Sequence, residues 1–165
     1  MFEKVTLQEA IKRSIQTEKN AMNFYQLASA HMKDAEAKRV FEVLAHDEHE
    51  HASQFFGIYR GADIPSFDAF MAEPPKAESE WIVDLQKALD SEFNERKAME
   101  LAMEKEQQLE KALREMAGKI DDPAVRAIYE ANAVSTNHHY QVIESEYARL
   151  MGMVHETDID TYVRE

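Results

Sequence analysis

Phe41-Glu42-Val43-Leu44-Ala45-His46-Asp47-Glu48-His49-Glu50-His51 puts ionisable side chains where an amphipathic helix needs apolar ones. The apolar stripe reads Phe41, Leu44, then Glu48 and His51 in the same register, then Phe55 and Ile58. Steps of three or four residues keep all of these on one helical face. An ionised carboxylate on a buried face costs several kcal/mol unless it is paired or binds a cation. Glu48 and His51, three residues apart on that face, are placed to hold one cation jointly.

The same kind of interruption occurs elsewhere. Glu18 breaks the stripe Leu7, Ile11, Ile15, Glu18, Met22, Tyr25. Glu106 breaks the stripe Met99, Ala102, Glu106, Leu109, Leu113, Met116. His139 lies on the stripe Val125, Ile128, Asn132, Ser135, His139, continued by Val142 or Ile143 and Leu150. An offset of 88 residues carries Glu18 onto Glu106 and His51 onto His139. It also matches Ala10 with Ala98, Glu42 with Glu130, Ala45 with Ala133 and Tyr59 with Tyr147, as two related helix hairpins would. The echo fails at one position, where Glu48 meets Thr136.

These stripes predict four long helices in an all-α, antiparallel four-helix bundle. Four glycines and four prolines in 165 residues favour helix. Helix one is expected from Thr6, where Thr6-Leu7-Gln8-Glu9 matches a capping box. A break at His31 to Asp34 follows, with Asp34 as N-cap of helix two, which is expected to end near Gly61. Pro65, Pro74 and Pro75 forbid a continuous helix across the crossover, about residues 61–78. Helix three is expected from about Ser79 to Gly118, a natural C′ residue, and helix four from Asp122-Pro123 to near Gly152. The polar tail, about residues 153–165, is expected to pack over the bundle or fray. Residues 1–165 read as a single domain, with one long connection between its two hairpins.

Composition narrows the function. The formal net charge is −13, which repels phosphate backbones and disfavours nucleic-acid binding. No cysteine is present, which excludes disulfides, thiolate zinc sites and iron–sulfur centres and fits a reducing compartment. No signal-peptide core and no apolar run near membrane-spanning length occurs. A cytoplasmic protein without membrane contact is expected.

A lone Glu on an apolar stripe is more often a snorkelling residue, and Glu-x-x-His matches arise by chance. The conjunction of Glu18, Glu48, His51, Glu106 and His139 on four stripes reverses that balance. Oxygen-rich ligation with one or two imidazoles suits iron or manganese better than zinc or copper, although zinc remains an alternative. His138, adjacent to His139, is the alternative ligand if helix four is rotated. Tyr25 shares a face with Glu18, where its hydroxyl reaches a ligand carboxylate or its ring simply fills the core. Asp47 is either a partner for a ligand histidine or a surface acid. Glu110, one turn beyond Glu106, is either an extra ligand or, by default, a solvated charge, and Glu130 is read as a poor substitute for the missing Glu. His46 and His49 point off the stripe, and His155 carries no signal.

At Thr17-Glu18-Lys19-Asn20-Ala21-Met22-Asn23-Phe24-Tyr25 and at the stretch Phe41 to His51, the chain resembles the rubrerythrin branch of the ferritin-like superfamily. The resemblance extends to about Gly152. It implies a ferritin-like bundle holding a carboxylate-bridged diiron centre, ligated here by Glu18, Glu48, His51, Glu106 and His139. It further implies an oxidoreductase that reduces peroxide or dioxygen in oxidative-stress defence, commonly as a homodimer. In that picture Glu48 and Glu106 bridge two ferrous ions, Glu18 and His51 complete one, and His139 completes the other.

The chain departs from the family pattern in three places. Thr136 stands where a second Glu-x-x-His needs Glu, which threatens the second metal. Leu109 stands where an additional helix-three carboxylate often occurs. With no Cys there is no rubredoxin-like iron site, so electrons are expected from an external donor. Two other functions compete: iron oxidation with storage or delivery, and a structural or interaction bundle whose metal site has decayed. Phe24, Phe55, Phe56, Phe67, Phe70 and Trp81 exceed what one face per helix hides, so they form a subunit interface or pack under the crossover.

Overall fold

The computed structural model describes residues 4–90 and 94–163, with side chains over 6–90 and 94–152. The described residues form six helices: α1 (Lys4–Ala30), α2 (Ala35–Gly57), α3 (Phe67–Ala72), α4 (Glu80–Asp90), α5 (Glu95–Ala117) and α6 (Pro123–Val163). Helices α1 and α2 fold into one hairpin, α5 and α6 into another, and α2 packs on α6 between them. The all-helical bundle with its long crossover is therefore present.

Local chemistry explains the hairpin turns. Asp34 caps α2, its carboxylate accepting from the Ala37 amide at 2.9 Å. Asp122 accepts from the amides of Ala124 and Val125 at 2.9 and 3.2 Å, and Pro123 opens α6.

Several element boundaries differ from expectation. Helix α1 is already under way at Lys4, so Thr6 lies inside it and the capping-box reading fails. Gln8 instead accepts from the Arg60 amide at 2.7 Å, tying the far end of the hairpin together. Helix α2 stops at Gly57 rather than near Gly61, because Ile58 leaves helical geometry and closes the last turn through its own amide. The expected helix three is two helices. Asn94 has extended backbone and its side chain accepts from the Lys97 amide at 2.8 Å, which starts α5 afresh. Gly118 ends α5 in right-handed geometry, so its left-handed freedom is not used. Helix α6 runs past Gly152 to Val163, and one glycine in a long helix does not stop it. The side chains of the tail, His155 included, lie outside the described residues.

The crossover is pinned to the bundle. Within it Ser66 caps the short α3. Lys19, only 2% exposed, reaches out of α1 to donate to the carbonyls of Glu73 at 2.9 Å and Pro74 at 3.3 Å, and to Asn23 Oδ1 at 3.0 Å. Helix α4 packs on both α1 and α5, with Lys105 of α5 donating to Asp84 at 2.5 Å. Trp81 of α4 meets Phe24 edge-on at 5.3 Å between ring centres, and Phe56 stacks near Phe67 at 5.1 Å. Of the surplus aromatics, Phe24, Phe55 and Trp81 are buried, Phe55 against Tyr129 of α6, while Phe56, Phe67 and Phe70 are partly buried. No described helix is long and apolar enough to cross a membrane.

Candidate metal centre

The core of the bundle contains a polar cluster. Glu18, Glu48, Glu106 and Thr136 are fully buried, and His51 and His139 are 5% and 2% exposed. Helix α1 supplies Glu18, α2 supplies Glu48 and His51, α5 supplies Glu106 and α6 supplies His139. Each projects inward because it occupies an apolar position of its own stripe, flanked by Ile15 and Met22, Leu44 and Phe55, Ala102 and Leu109, or Asn132 and Ile143.

The imidazole rings of His51 and His139 stack at 5.1 Å between centres, with planes 14° apart. Glu48 lies between them. Its Oε1 is 2.9 Å from His51 Nδ1 and its Oε2 is 3.6 Å from His139 Nδ1. Glu18 approaches the first imidazole, Oε1 to Nδ1 at 3.4 Å, and Glu106 approaches the second, Oε2 to Nδ1 at 3.7 Å. One ligand atom each from Glu48, His51 and His139 falls within 4.8 Å of the others. Two half-sites follow from this arrangement. One holds Glu18, His51 and one oxygen of Glu48, and the other holds Glu106, His139 and the second oxygen of Glu48. Glu106 Oε2 faces His139 and Tyr25, and among the three glutamates Glu48 approaches both imidazoles.

The outward edges of the imidazoles are occupied. His139 Nε2 is 3.3 Å from Asp47 Oδ2, and His51 Nε2 is 2.8 Å from Ser135 Oγ. An Nε2–H donated to the Asp47 carboxylate leaves the Nδ1 lone pair of His139 directed at the carboxylates. Tyr25 donates its hydroxyl to Glu106 Oε2. Its ring is wedged edge-on against Phe24 at 5.1 Å and Phe41 at 5.0 Å, which leaves the hydroxyl little freedom.

The inward atoms have no such partners. Both oxygens of Glu18, both of Glu48, Glu106 Oε1, and the Nδ1 atoms of His51 and His139 are buried without a hydrogen bond. Buried polar atoms are almost always satisfied. Seven unsatisfied atoms converging from four helices, five carboxylate oxygens and two imidazole nitrogens, are the donor set a hard-to-borderline divalent cation takes. The residues present therefore fit a metal centre.

Protonation reflects the same crowding. Burial and the neighbouring Glu48 charge push the Glu18 carboxyl up to about 8. Burial opposes charge on both imidazoles, but the close carboxylates outweigh it. Glu18 and Glu48 raise His51 to about 10, and Glu106 and Glu48 raise His139 to about 11. Burial, reinforced by Glu106, holds the Tyr25 phenol well above its usual range, so it stays protonated. Without a cation the cluster keeps protons in its place.

The remaining candidates fall away from the cluster. His138 and His46 are exposed, as is Glu130, and His49 packs its ring against Phe67. Glu110 accepts from Arg114 and Asn137 on the outer side of α5. Thr136 faces the core where the echo lacks Glu, and its hydroxyl is buried with no partner. Ser135 is the contact that sequence reading missed. Its neighbour Thr136 carried the repeat signal, and no spacing rule marks a serine that touches a histidine of another helix.

A family model described as Rubrerythrin matches residues 9–147. Comparison with curated proteins and with solved structures returned no match. The matched span takes in α1 from its second turn to most of α6, including every residue of the cluster. The chain is a member of the rubrerythrin family of diiron-carboxylate proteins.

Proposed function

We propose that the chain holds two iron ions at Glu18, Glu48, His51, Glu106 and His139 and reduces peroxide, with electrons restored by an external donor. The observation that carries this reading is seven buried carboxylate and imidazole atoms from four helices that make no hydrogen bond and face one another across the core. Such a cluster costs stability unless a cation satisfies it. Because both hairpins contribute, residues 1–165 act as one domain.

Two ferrous ions held by Glu18, Glu48, His51, Glu106 and His139 would supply the two electrons that, with two protons, take hydrogen peroxide to two waters. The protein side of the reaction is positional. Glu48 spans the two half-sites and sets their spacing. Asp47 and Ser135 hold the imidazoles by their outer nitrogens, and Tyr25 keeps its proton on Glu106 Oε2. Phe24, Phe41 and Phe55, all fully buried, keep bulk water from the cluster.

The two half-sites are matched, each with one glutamate, one imidazole and one oxygen of Glu48, but together they are short of charge. Three glutamates supply three negative charges against four on two divalent cations. Thr136 adds none, so water, hydroxide or a small anion completes the shell. The parent is expected to bind two irons per chain; if only Thr136→Glu reached two, the second site would be one that the parent has lost.

Anaerobic titration with ferrous iron, followed by peroxide, tests the proposal. The expected result is bound iron that peroxide oxidises, with Glu48→Ala abolishing binding. Protein that takes up no iron, or iron that peroxide leaves ferrous, would overturn it.

A further inference from the structure

A cavity of about 200 Å3 opens where α1 faces α5 and α6, with Arg13, Ser14, Thr17, Glu18, Leu109 and Tyr129 among its lining. Its outer members, Arg13 and Ala112, are exposed, while Glu18 is fully buried with both oxygens unpartnered. The lining therefore runs from solvent-exposed residues inward to Glu18, a buried member of the cluster. A larger cavity of about 440 Å3 between α1 and α2, bordered by Met22, Glu42, Ala45 and His46, touches none of the five proposed ligands.

We propose that the cavity between α1 and α5 is the path by which a small, uncharged oxidant of the hydrogen peroxide class reaches the centre, an inference that rests on the redox reading above. The lining selects for such a molecule. Leu109, Leu113 and Met116 form an apolar wall on the α5 side. Ser14, Thr17 and Tyr129 add hydroxyls on the other side, with Ser14 Oγ 2.8 Å from Tyr129 Oη. Hydrogen peroxide both donates and accepts, so it can exchange hydrogen bonds along these hydroxyls. A hydrated divalent cation would have to shed water beside leucine and methionine after passing the Arg13 guanidinium, at a large desolvation cost. Leu109 is the determinant. A carboxylate at that position would place a charge in the wall and draw cations in, whereas leucine keeps the wall neutral. The path admits the oxidant and excludes the metal, which loads by another route.

The test uses the full chain and plugs the path at two depths. Leu109→Trp fills its inner wall. Ala112→Trp, on the exposed face of α5, narrows its mouth without disturbing the core. Glu42→Trp, at the other cavity, is the control. Cobalt(II) loading rate and stoichiometry are measured first. The ferrous proteins are then mixed with hydrogen peroxide and, separately, with nitric oxide, an uncharged probe that binds ferrous iron without needing peroxide chemistry. Both plugging variants are expected to slow peroxide oxidation and nitric oxide binding by about tenfold or more, with cobalt loading unchanged and Glu42→Trp behaving as the parent. Peroxide and nitric oxide rates equal to the parent's in Ala112→Trp would overturn the proposal, even if Leu109→Trp failed to fold. Equal slowing of cobalt loading would overturn its selectivity. If the parent's iron resists peroxide but nitric oxide binding slows in the plugged variants, the redox reading fails while the access path stands.

Discussion

At the scale of single residues, the cluster is organised by who faces inward and who faces outward. Each imidazole gives its outer nitrogen to a partner and keeps the inner one for the centre. Asp47 is half-exposed, so its replacement leaves the core untouched. Asp47→Ala is expected to weaken metal binding by about 10- to 100-fold, measured by competition with a chelator. Unchanged affinity would mean that packing alone orients His139.

Protonation gives a second residue-scale prediction. Glu18, His51 and His139 all have raised pKa values, so the metal-free folded protein binds more protons than the unfolded chain. Stability then falls as pH rises. For Glu18 the loss runs from its usual 4.5 to about 8, and for the histidines from 6.5 to about 10 and 11. A cation must displace those protons, so metal affinity should rise with pH over the same window. Urea melts of the metal-free protein that grew steeper in stability above neutral pH would contradict this sign. Proton release on metal binding, followed with an indicator dye, checks it directly.

Among the secondary-structure elements, α2 carries the largest share of the site and depends on its first turn. Asp34 caps that turn and also receives Arg149 of α6 at 2.5 Å. Asp34→Ala is expected to cost about 1–2 kcal/mol in a denaturant melt, while Asp34→Asn, which keeps a capping oxygen, loses only a few tenths. An equal loss in both would assign the stability to the ion pair instead of the cap. Lys19 plays the corresponding part for the crossover. A buried ammonium satisfied by two loop carbonyls is a position where Lys19→Met removes the charge but leaves those carbonyls without a donor.

For the molecule as a whole, the proposed ligands come from α1, α2, α5 and α6, so a cation held by all of them would tie the two hairpins together. Binding to the folded state alone stabilises by mass action, by about 2.7 kcal/mol at 100 times Kd. Stripping the metal with a chelator is expected to lower the melting temperature and to speed amide exchange in all four helices together. Loss confined to one hairpin would place the cation within it.

Helix positions and inward-facing ionisable residues were legible where one residue's spacing to the next carries the information. Stripe periodicity placed Glu18, Glu48, His51, Glu106 and His139 on inward faces, and the same periodicity separates buried His139 from exposed His138. The Asp34 and Asp122 caps were legible for the same reason, since a cap needs only its own turn. Helix ends that depend on competition were not. Thr6 matches a capping box yet lies within α1, and Asn94 divides a stripe that periodicity alone treats as continuous.

The amino-acid order alone was enough for an all-helical bundle and for the ligand types, because helical period and burial cost act along one helix at a time. Which carboxylate lies between the two histidines, which serine and aspartate touch the imidazoles, and where a cavity forms beside Glu18 were settled only when four helices met. Those are contacts between residues from 84 to 92 positions apart for the histidine partners, Ser135 with His51 and Asp47 with His139. No local rule reaches that far, since such distances are set by how the hairpins dock.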